Sequence, residues 1–224
     1  MTFSLAGRCA TTGRLGIVVT SSSPCVASRC AWVRAGAGAV GTQNITDPRL
    51  GTLGLDLLAQ GFGAVAVRDQ LVAAGAFADY RQLTVIDFDG ATAHHSGART
   101  LGTHAVAEGR DCVAAGNLLA NHGVPAAMVR AFEATAGQHL AERLLAAVEA
   151  GAAAGGEEGP VRSVGLMVAD RWSWPTVDLR VDWHDEPLVA LRALWDVYRP
   201  QMDAYIQRAL DPREAPSYGV PGDP

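Results

Sequence analysis

Leu15-Gly16-Ile17-Val18-Val19-Thr20 is continuously apolar and rich in β-branched residues, and it tells more about the architecture than any other segment. Such a run is typical of a strand that is buried on both faces. The preceding run, Thr2 to Cys9, also has strand character, and Thr11-Thr12-Gly13 between the two predicts a hairpin turn because glycine tolerates positive φ. The sequence therefore begins with two strands of a sheet that other layers must cover.

The remaining segments fall into blocks of one type rather than into a strand–helix alternation. That order favours an α+β layered sandwich with one domain over residues 1–210 and a disordered tail over 211–224. The predicted strands are 31–43, 81–87, 91–96, 163–168 and 177–182; the predicted helices are 48–61, 64–74, 126–135, 139–150 and 186–210; and 151–160 is a predicted flexible loop.

Composition limits the possible partners of the chain. The 224 residues are 49% hydrophobic and carry a formal net charge of −5, with the basic residues scattered, which argues against nucleic-acid binding. No apolar run reaches the roughly 18 residues of a membrane helix.

The N-terminus lacks the features of a signal peptide, so we expect a cytoplasmic protein with four reduced cysteines. A homodimer is the default expectation for its assembly.

Thr2 is the strongest catalytic candidate. Aminopeptidases remove an initiator methionine when a small residue follows, and a new N-terminal threonine then combines a hydroxyl nucleophile with an α-amine base. The amine has an ordinary pKa of about 7.7–8.0, close to the value that a general base needs. Many proteins, however, begin with Met-Thr and use neither group.

Three segments offer polar groups that could bind a substrate. Thr42, Gln43 and Arg49 follow an apolar strand, where Arg49 could clamp a carboxylate, although Asp47 and the proline after it equally predict a helix cap. Ser21 begins a serine cluster that supplies hydroxyls if the first two strands pair, or forms only a turn.

Asn117, in Gly116-Asn117-Leu118-Leu119, fits either an oxyanion hole or a helix N-cap. His94 and His95 are adjacent on a predicted strand, so they point to opposite faces and cannot share a metal ion. The sequence has no phosphate-binding loop and no dinucleotide fingerprint. We therefore expect neither a metal nor another cofactor.

Several segments, taken together and in order from residue 2 to about 190, resemble the domain-of-unknown-function 1028 (DUF1028) family. They include Thr2-Phe3-Ser4-Leu5, Gly13-Arg14-Leu15-Gly16-Ile17-Val18-Val19, Trp32 to Val40, Thr42-Gln43, Asp47-Pro48-Arg49, Tyr80-Arg81-Gln82-Leu83, His95-Ser96-Gly97, Gly116-Asn117-Leu118-Leu119, Gly155-Gly156 and Val177-Asp178-Leu179-Arg180-Val181-Asp182.

The resemblance implies an N-terminal-nucleophile hydrolase: a four-layer αββα sandwich with Thr2 at the tip of the first strand. It also brings His95, in the matching His95-Ser96-Gly97 segment, among the expected substrate-binding residues. Relatives commonly carry a lysine soon after the second strand. Residues 21–29 contain none, so either Arg29 or Arg34 replaces it, or the activity is weak or lost.

Two hypotheses follow. The first is an amidohydrolase that cleaves an amide or related C–N bond of a small molecule, with Thr2 as nucleophile and Asn117 as oxyanion donor. The alternative is a non-catalytic protein of the same fold that binds a small molecule or acts as a scaffold.

Overall fold

The computed structural model describes residues 1–222, and they form two antiparallel sheets with helices. The larger sheet has the strand order β10-β9-β2-β1-β8-β7 and the smaller one β3-β4-β5-β6. The strands are β1 (Thr2–Arg8), β2 (Leu15–Ser21), β3 (Ala31–Arg34), β4 (Gly38–Asn44), β5 (Arg81–Asp87), β6 (Thr92–Ser96), β7 (Ala105–Gly109), β8 (Cys112–Asn117), β9 (Ser163–Ala169) and β10 (Pro175–Val181).

The two sheets face each other through small and branched side chains. Alternation along β1 and β2 directs Ala6 and Ile17 toward the smaller sheet, while Phe3, Leu5 and Val18 point the other way. On the smaller sheet, Ala39 and Ile86 belong to the same intersheet core. The predicted pair of fully covered strands is confirmed: β1 and β2 are central in the larger sheet, and β2 is buried at every position.

Helices contact the outer side of each sheet. Helices α2 (Pro48–Ala59) and α3 (Ala64–Ala74) contact the smaller sheet, whereas α4 (Val124–Ala134), α5 (Leu140–Ala153) and α6 (Pro187–Tyr198) contact the larger one. Their apolar stripes bury against Val40 and Val85 on one side and against Phe3 and Leu5 on the other. Two short helices, α1 (Ala27–Cys30) and α7 (Met202–Leu210), complete the set.

The predicted cap of α2 is confirmed. Asp47 occupies the N-cap position and its carboxylate accepts a hydrogen bond from the Arg49 backbone N–H, with Pro48 at the first helical position. Proline suits this position because the first helical N–H groups have no partner within the helix.

Four sequence-based assignments were wrong or incomplete. The single strand predicted over 31–43 is the hairpin β3–β4, with Gly36 at a φ of 68° between the strands. The prediction missed β7 and β8 because alanine and glycine dominate them, and these are weak strand formers. The helix predicted over 186–210 is interrupted by a 3₁₀ turn that contains Pro200, which cannot donate a helical hydrogen bond.

The fourth concerns the loop that was expected to be flexible. Helix α5 continues to Ala153, and the chain then turns through Gly155 and Gly156, both with positive φ. Backbone hydrogen bonds tie the segment to the end of β8, and Glu157 forms an isolated β-bridge with Leu119. The segment is therefore held against the end of β8 by backbone hydrogen bonds.

The chain after α7 is mainly exposed and contains one 3₁₀ turn, Pro212–Glu214. The Arg208 guanidinium lies 3.8 Å from the centre of the Tyr218 ring. The last part of the expected tail, residues 223–224, lies outside the described residues. Within residues 1–222, none of the helices combines the length and the apolar character needed to cross a membrane.

Candidate functional site

Thr2 is the first residue of β1 and lies on the face that looks toward the smaller sheet. It pairs directly with Asn117 at the end of β8, while β2 flanks it on the other side. Only 6% of its surface is exposed. The alternation that points Phe3 into the helix-covered core therefore directs the Thr2 side chain between the sheets.

A cluster of hydroxyls surrounds the peptide bond between Met1 and Thr2. The Thr2 and Ser21 hydroxyls both donate hydrogen bonds to the carbonyl oxygen of Met1, and the two hydroxyl oxygens are 3.4 Å apart. Ser21 is fully buried, and its oxygen lies 2.8 Å from the Ser23 hydroxyl. Two hydroxyls thus converge on one carbonyl oxygen.

Arg29 connects to this cluster. Its Nη2 donates to the Ser23 hydroxyl at 2.7 Å, and its Nη1 donates to the carbonyls of Pro24 and Cys25. The chain contains no lysine. Arg34, the other candidate for the missing lysine, is the last residue of β3 and pairs instead with Asp56 of α2. Arg29 is therefore the cation that the hydrogen bonds link to Thr2.

Buried amides join the two sheets beside Thr2. Gln82 on β5 accepts hydrogen bonds from the side-chain amides of Gln43, at 2.8 Å, and Asn117, at 3.1 Å. Gln43 in turn accepts one from the Ser4 hydroxyl at 2.8 Å. The Asn117 side-chain oxygen is buried and has no hydrogen-bond partner among the described residues. An orphaned acceptor of this kind leaves a place for an incoming donor.

The backbone bends sharply immediately after Asn117. Leu118 has a φ of 51°, and its N–H donates to the Leu101 carbonyl rather than continuing the ladder of β8. Asn117 therefore ends a strand, and the alternative in which it caps a helix was wrong, since α4 begins only at Val124.

Glu157 is a buried carboxyl close to the same strand ends. It is 5% exposed, and neither of its oxygens has a hydrogen-bond partner among residues 1–222. Burial raises the pKa of Glu157 to about 7. Two groups oppose this rise: the positive amino group of Met1 and the polar groups of Ser22. The Ser22 groups lie close to the carboxyl but do not reach hydrogen-bonding geometry.

Sequence reasoning missed Gln82 and Glu157. Gln82 interrupts a strand of apolar and β-branched residues at a position that faces the other sheet, which is where a polar side chain needs a partner. For Glu157 the available signal was the pair of glycines before it, because consecutive glycines allow a tight turn that can return a side chain to the core.

The structure does not bring Thr42, Arg49 or His95 into this cluster. Thr42 lies on the helix-covered face of β4 and donates to the Arg29 carbonyl at 3.1 Å. The Arg49 side chain is 84% exposed and pairs with Asp47, whose pKa it holds below the usual range. His95 is paired with the outward-facing Leu83 and hydrogen-bonds the Ala78 carbonyl. Of the expected residues, Thr2, Ser21, Asn117 and Gln43 lie together.

A large cavity lies elsewhere, at the opposite end of β1 and roughly 20 Å from Thr2 along the strand. Its volume is about 790 Å³, and it lies between the β1–β2 turn and the start of α5. Cys9, Arg14, His139 and Arg143 are among the residues that line it. Within the described chain, no group of three or more His, Cys, Asp or Glu side chains is placed to hold a metal ion.

The pKa of Glu157 gives a prediction about stability. The folded protein binds the Glu157 proton more tightly than the unfolded chain does. Protonated Glu157 therefore contributes to the free energy of unfolding; this contribution is complete below about pH 4.5 and is lost as the pH rises through 7. Glu157→Gln should therefore gain stability relative to wild type between pH 4.5 and pH 8, by up to about 3 kcal/mol. Urea unfolding at the two pH values measures it. Glu158→Gln, at an exposed neighbour, is the control, and an equal effect of Glu157→Gln at both pH values contradicts the assignment.

Comparison with known proteins agrees with this organisation. The model of a family described as "Family of unknown function (DUF1028)" matches residues 2–191. The chain belongs to the DUF1028 family. The crystal structure of the DUF1028 protein SPO2555 from Silicibacter pomeroyi is 27% identical and superposes with a TM-score of 0.81 over 88% of each chain. Comparison with the curated proteins gave no match.

Two more distant structures are Anbu proteins. Anbu (ancestral beta-subunit) from Yersinia bercovieri is 10% identical, with a TM-score of 0.39 over 91% of this chain and 97% of the other. A Gly-1 mutant of Anbu from Hyphomicrobium sp. strain MC1 is 13% identical, with a TM-score of 0.43 over 98% and 100%. Likenesses of this size do not define the fold.

The residues of the candidate site lie within the range that the family model matches. Thr2, Ser21, Asn117 and Glu157 fall between residues 2 and 191, whereas α7 and the chain after it lie beyond. The site therefore belongs to the part of the chain that the family model describes.

Proposed function

We propose that this DUF1028 protein is an N-terminal-nucleophile hydrolase of a small-molecule amide or related C–N bond, on a four-layer αββα sandwich. The observation that carries the proposal is the position of Thr2: it is buried between the sheets, and its hydroxyl and that of Ser21 converge on one carbonyl oxygen. The helices that contact the outer side of each sheet support the layer order.

Cleavage of the Met1–Thr2 bond is the activating event in this proposal. It frees the α-amine of Thr2, whose ordinary pKa of about 7.7–8.0 suits a general base near neutral pH. It also vacates the space that Met1 occupies beside Ser21 and Gly159. The Thr2 α-amine as base, the Thr2 hydroxyl as nucleophile and the space for a substrate then lie next to one another.

The proposed reaction has two halves. The Thr2 hydroxyl oxygen attacks the amide carbon and gives its proton to the α-amine; the C–N bond then breaks, and the leaving amine takes that proton, which leaves an ester on Thr2. Water next attacks the ester carbon and passes a proton to the α-amine. The ester C–O bond breaks, and the Thr2 oxygen recovers the proton, so that the enzyme returns to its starting state and a carboxylic acid departs.

Charge on the carbonyl oxygen needs nearby donors during both halves. The Ser21 hydroxyl already donates to a carbonyl oxygen in this position, and Asn117 lies directly across from Thr2. Arg29 reaches Ser21 through Ser23, so its charge can orient the hydroxyl chain in the place of the lysine found in relatives. We assign the Ser21 hydroxyl as one oxyanion donor and Arg29 as a positioning residue. The side-chain nitrogen of Asn117 gives one N–H to Gln82, and we assign its second N–H as the other donor.

Ser21→Ala tests the first donor. Loss of one donor to a developing oxyanion costs about 100- to 1,000-fold in rate, and we expect kcat to fall by that amount. The measurement is hydrolysis of p-nitrophenyl acetate, which acylates activated hydroxyls. Ser173→Ala, at an exposed turn beyond β9, is the matched control and should retain the wild-type rate. Equal rates for both variants would remove Ser21 from the mechanism.

A second candidate function has an observation of its own. The 790 Å³ cavity near Cys9 is remote from Thr2, and its size is that of a small-molecule binding site. A non-catalytic binding protein would use this cavity. Ligand-induced thermal stabilisation that persists in Thr2→Ala, together with absent turnover in wild type, favours this alternative.

We also propose that the protein is a cytoplasmic homodimer. The free thiols of its four cysteines are compatible with a reducing compartment. The outer side of α6 exposes Val189 and Val197, which offers an apolar surface for a two-fold contact. Light scattering coupled to size-exclusion chromatography tests the assembly, and a monomer mass would exclude the dimer.

A further inference from the structure

Glu157 carries an inference that rests on the proposed function and extends it to the class of substrate. A carboxyl group that serves only the fold is expected to have donors, because burying an unpaired charge is costly. Neither oxygen of Glu157 has a hydrogen-bond donor among the described residues. Two glycines with positive φ and a β-bridge to Leu119 nevertheless hold Glu157 in place. The nearest donors, the hydroxyl and backbone N–H of Ser22, do not reach hydrogen-bonding geometry, so both carboxyl oxygens can accept hydrogen bonds from a ligand.

Met1 shows what such a partner would look like. Its carbonyl oxygen receives the Ser21 and Thr2 hydroxyls, and a side chain at Gly159 would meet the Met1 side chain at 3.2 Å. Its positive amino group lies near enough to Glu157 to lower the pKa of that carboxyl electrostatically. Met1 is joined to the Thr2 nitrogen, and it thus approximates an aminoacyl group bound at the neighbouring Thr2 hydroxyl.

Cleavage of the Met1–Thr2 bond empties this space but leaves the groups that surround it. They are hydroxyls for a carbonyl oxygen, a glycine that leaves room for a side chain, and a carboxyl for an amino group. We infer that the substrate is an aminoacyl amide with a free α-amine, and that Glu157 binds this amine while Ser21 binds the carbonyl oxygen. The acyl part of the scissile bond is then an amino acid.

The orphaned oxygens of Glu157 favour an ammonium group over a neutral acyl chain. An alkyl group in this space would leave the buried carboxyl unsatisfied, whereas an ammonium supplies up to three donors and a compensating charge. N-acetylation of the substrate removes the charge and adds bulk at that point. The free amine and its acetylated form are therefore a sharp pair of probes.

The test uses the processed full-length protein with L-methionine p-nitroanilide and N-acetyl-L-methionine p-nitroanilide. We expect at least a tenfold larger kcat/KM for the free amine. In Glu157→Gln the ratio between the two substrates should fall toward one, because the amide retains the shape and loses the charge. Glu158→Gln should keep the wild-type ratio, and thermal unfolding checks that each variant is folded.

A binding measurement gives a readout that does not need turnover. L-Methioninamide should raise the Tm of the processed protein more than N-acetyl-L-methioninamide does, and the difference should vanish in Glu157→Gln. Equal rates and equal Tm shifts for the paired probes overturn the inference. A changed pH profile with an unchanged substrate ratio in Glu157→Gln also overturns it, since Glu157 would then serve the Thr2 amine.

Failure of the proposed function has a different signature. In that case p-nitrophenyl acetate does not acylate Thr2, whatever the selectivity of binding. Acylation of Thr2 without a preference for the free amine leaves the hydrolase intact and removes only the aminoacyl substrate.

Discussion

Thr2→Ala is expected to abolish hydrolysis, with a loss of at least about 1,000-fold in the rate of p-nitrophenyl acetate turnover. The substitution removes the nucleophilic oxygen and leaves the N-terminal amine, because an N-terminal alanine is also uncovered when the initiator methionine is removed. The measurement is the steady-state rate together with a circular dichroism melt.

The controls follow from the geometry. Among residues 1–222 the Thr2 hydroxyl bonds to the Met1 carbonyl and to Ser21 alone, so its loss should leave the melting temperature nearly unchanged. Thr2→Ser keeps a hydroxyl on the same carbon and should retain measurable turnover. A Thr2→Ala protein that is as active as wild type would end the assignment of Thr2 as nucleophile.

Blocking the amine is expected to have an effect of similar size. A glutamate inserted between Met1 and Thr2 prevents removal of the methionine and keeps the Thr2 nitrogen in an amide bond. An amide nitrogen cannot act as the base, and the retained residues fill the space beside Ser21. We therefore expect a loss of at least about 1,000-fold in rate.

Intact-mass spectrometry establishes the N-terminus of each preparation before the rates are compared. An inserted alanine is the matched control: the methionine is then removed, but the Thr2 nitrogen stays in an amide bond, so this protein should also be inactive. Activity in either insertion variant would show that the free Thr2 amine is dispensable.

The fold was predictable where side-chain patterns are strong. The β-branched run of β2 and the Asp47–Pro48 cap are local signals, and each gave the correct element. Strands β7 and β8 were not predictable in this way, because Ala114 and Gly116 are small in order to fit beneath neighbouring side chains, among them Leu119, rather than to favour a strand. Packing across the sheet determines them, and the sequence pattern does not express it.

The site was predictable only in part, for a related reason. Thr2, Ser21 and Asn117 stand at three strand ends that the antiparallel pairing brings together. His95 lies one position from Ser96, which reaches Gln82, so a shift of one residue along the strand places a side chain on the other face. Glu157 depends on a contact between a loop and the end of β8, more than 35 residues apart in sequence, which no local pattern specifies.

Peptide mapping of the processed protein after exposure to p-nitrophenyl acetate tests most directly whether Thr2 is a reactive N-terminal nucleophile. We predict one acetyl group on the Thr2 peptide, formed with a pH dependence centred near the ordinary pKa of an α-amine, about 7.7–8.0. It should be absent from the protein with the inserted glutamate, and also from Thr2→Ala, which has a free N-terminal amine but no hydroxyl. An unmodified Thr2 peptide in a folded, fully processed protein would contradict the proposal.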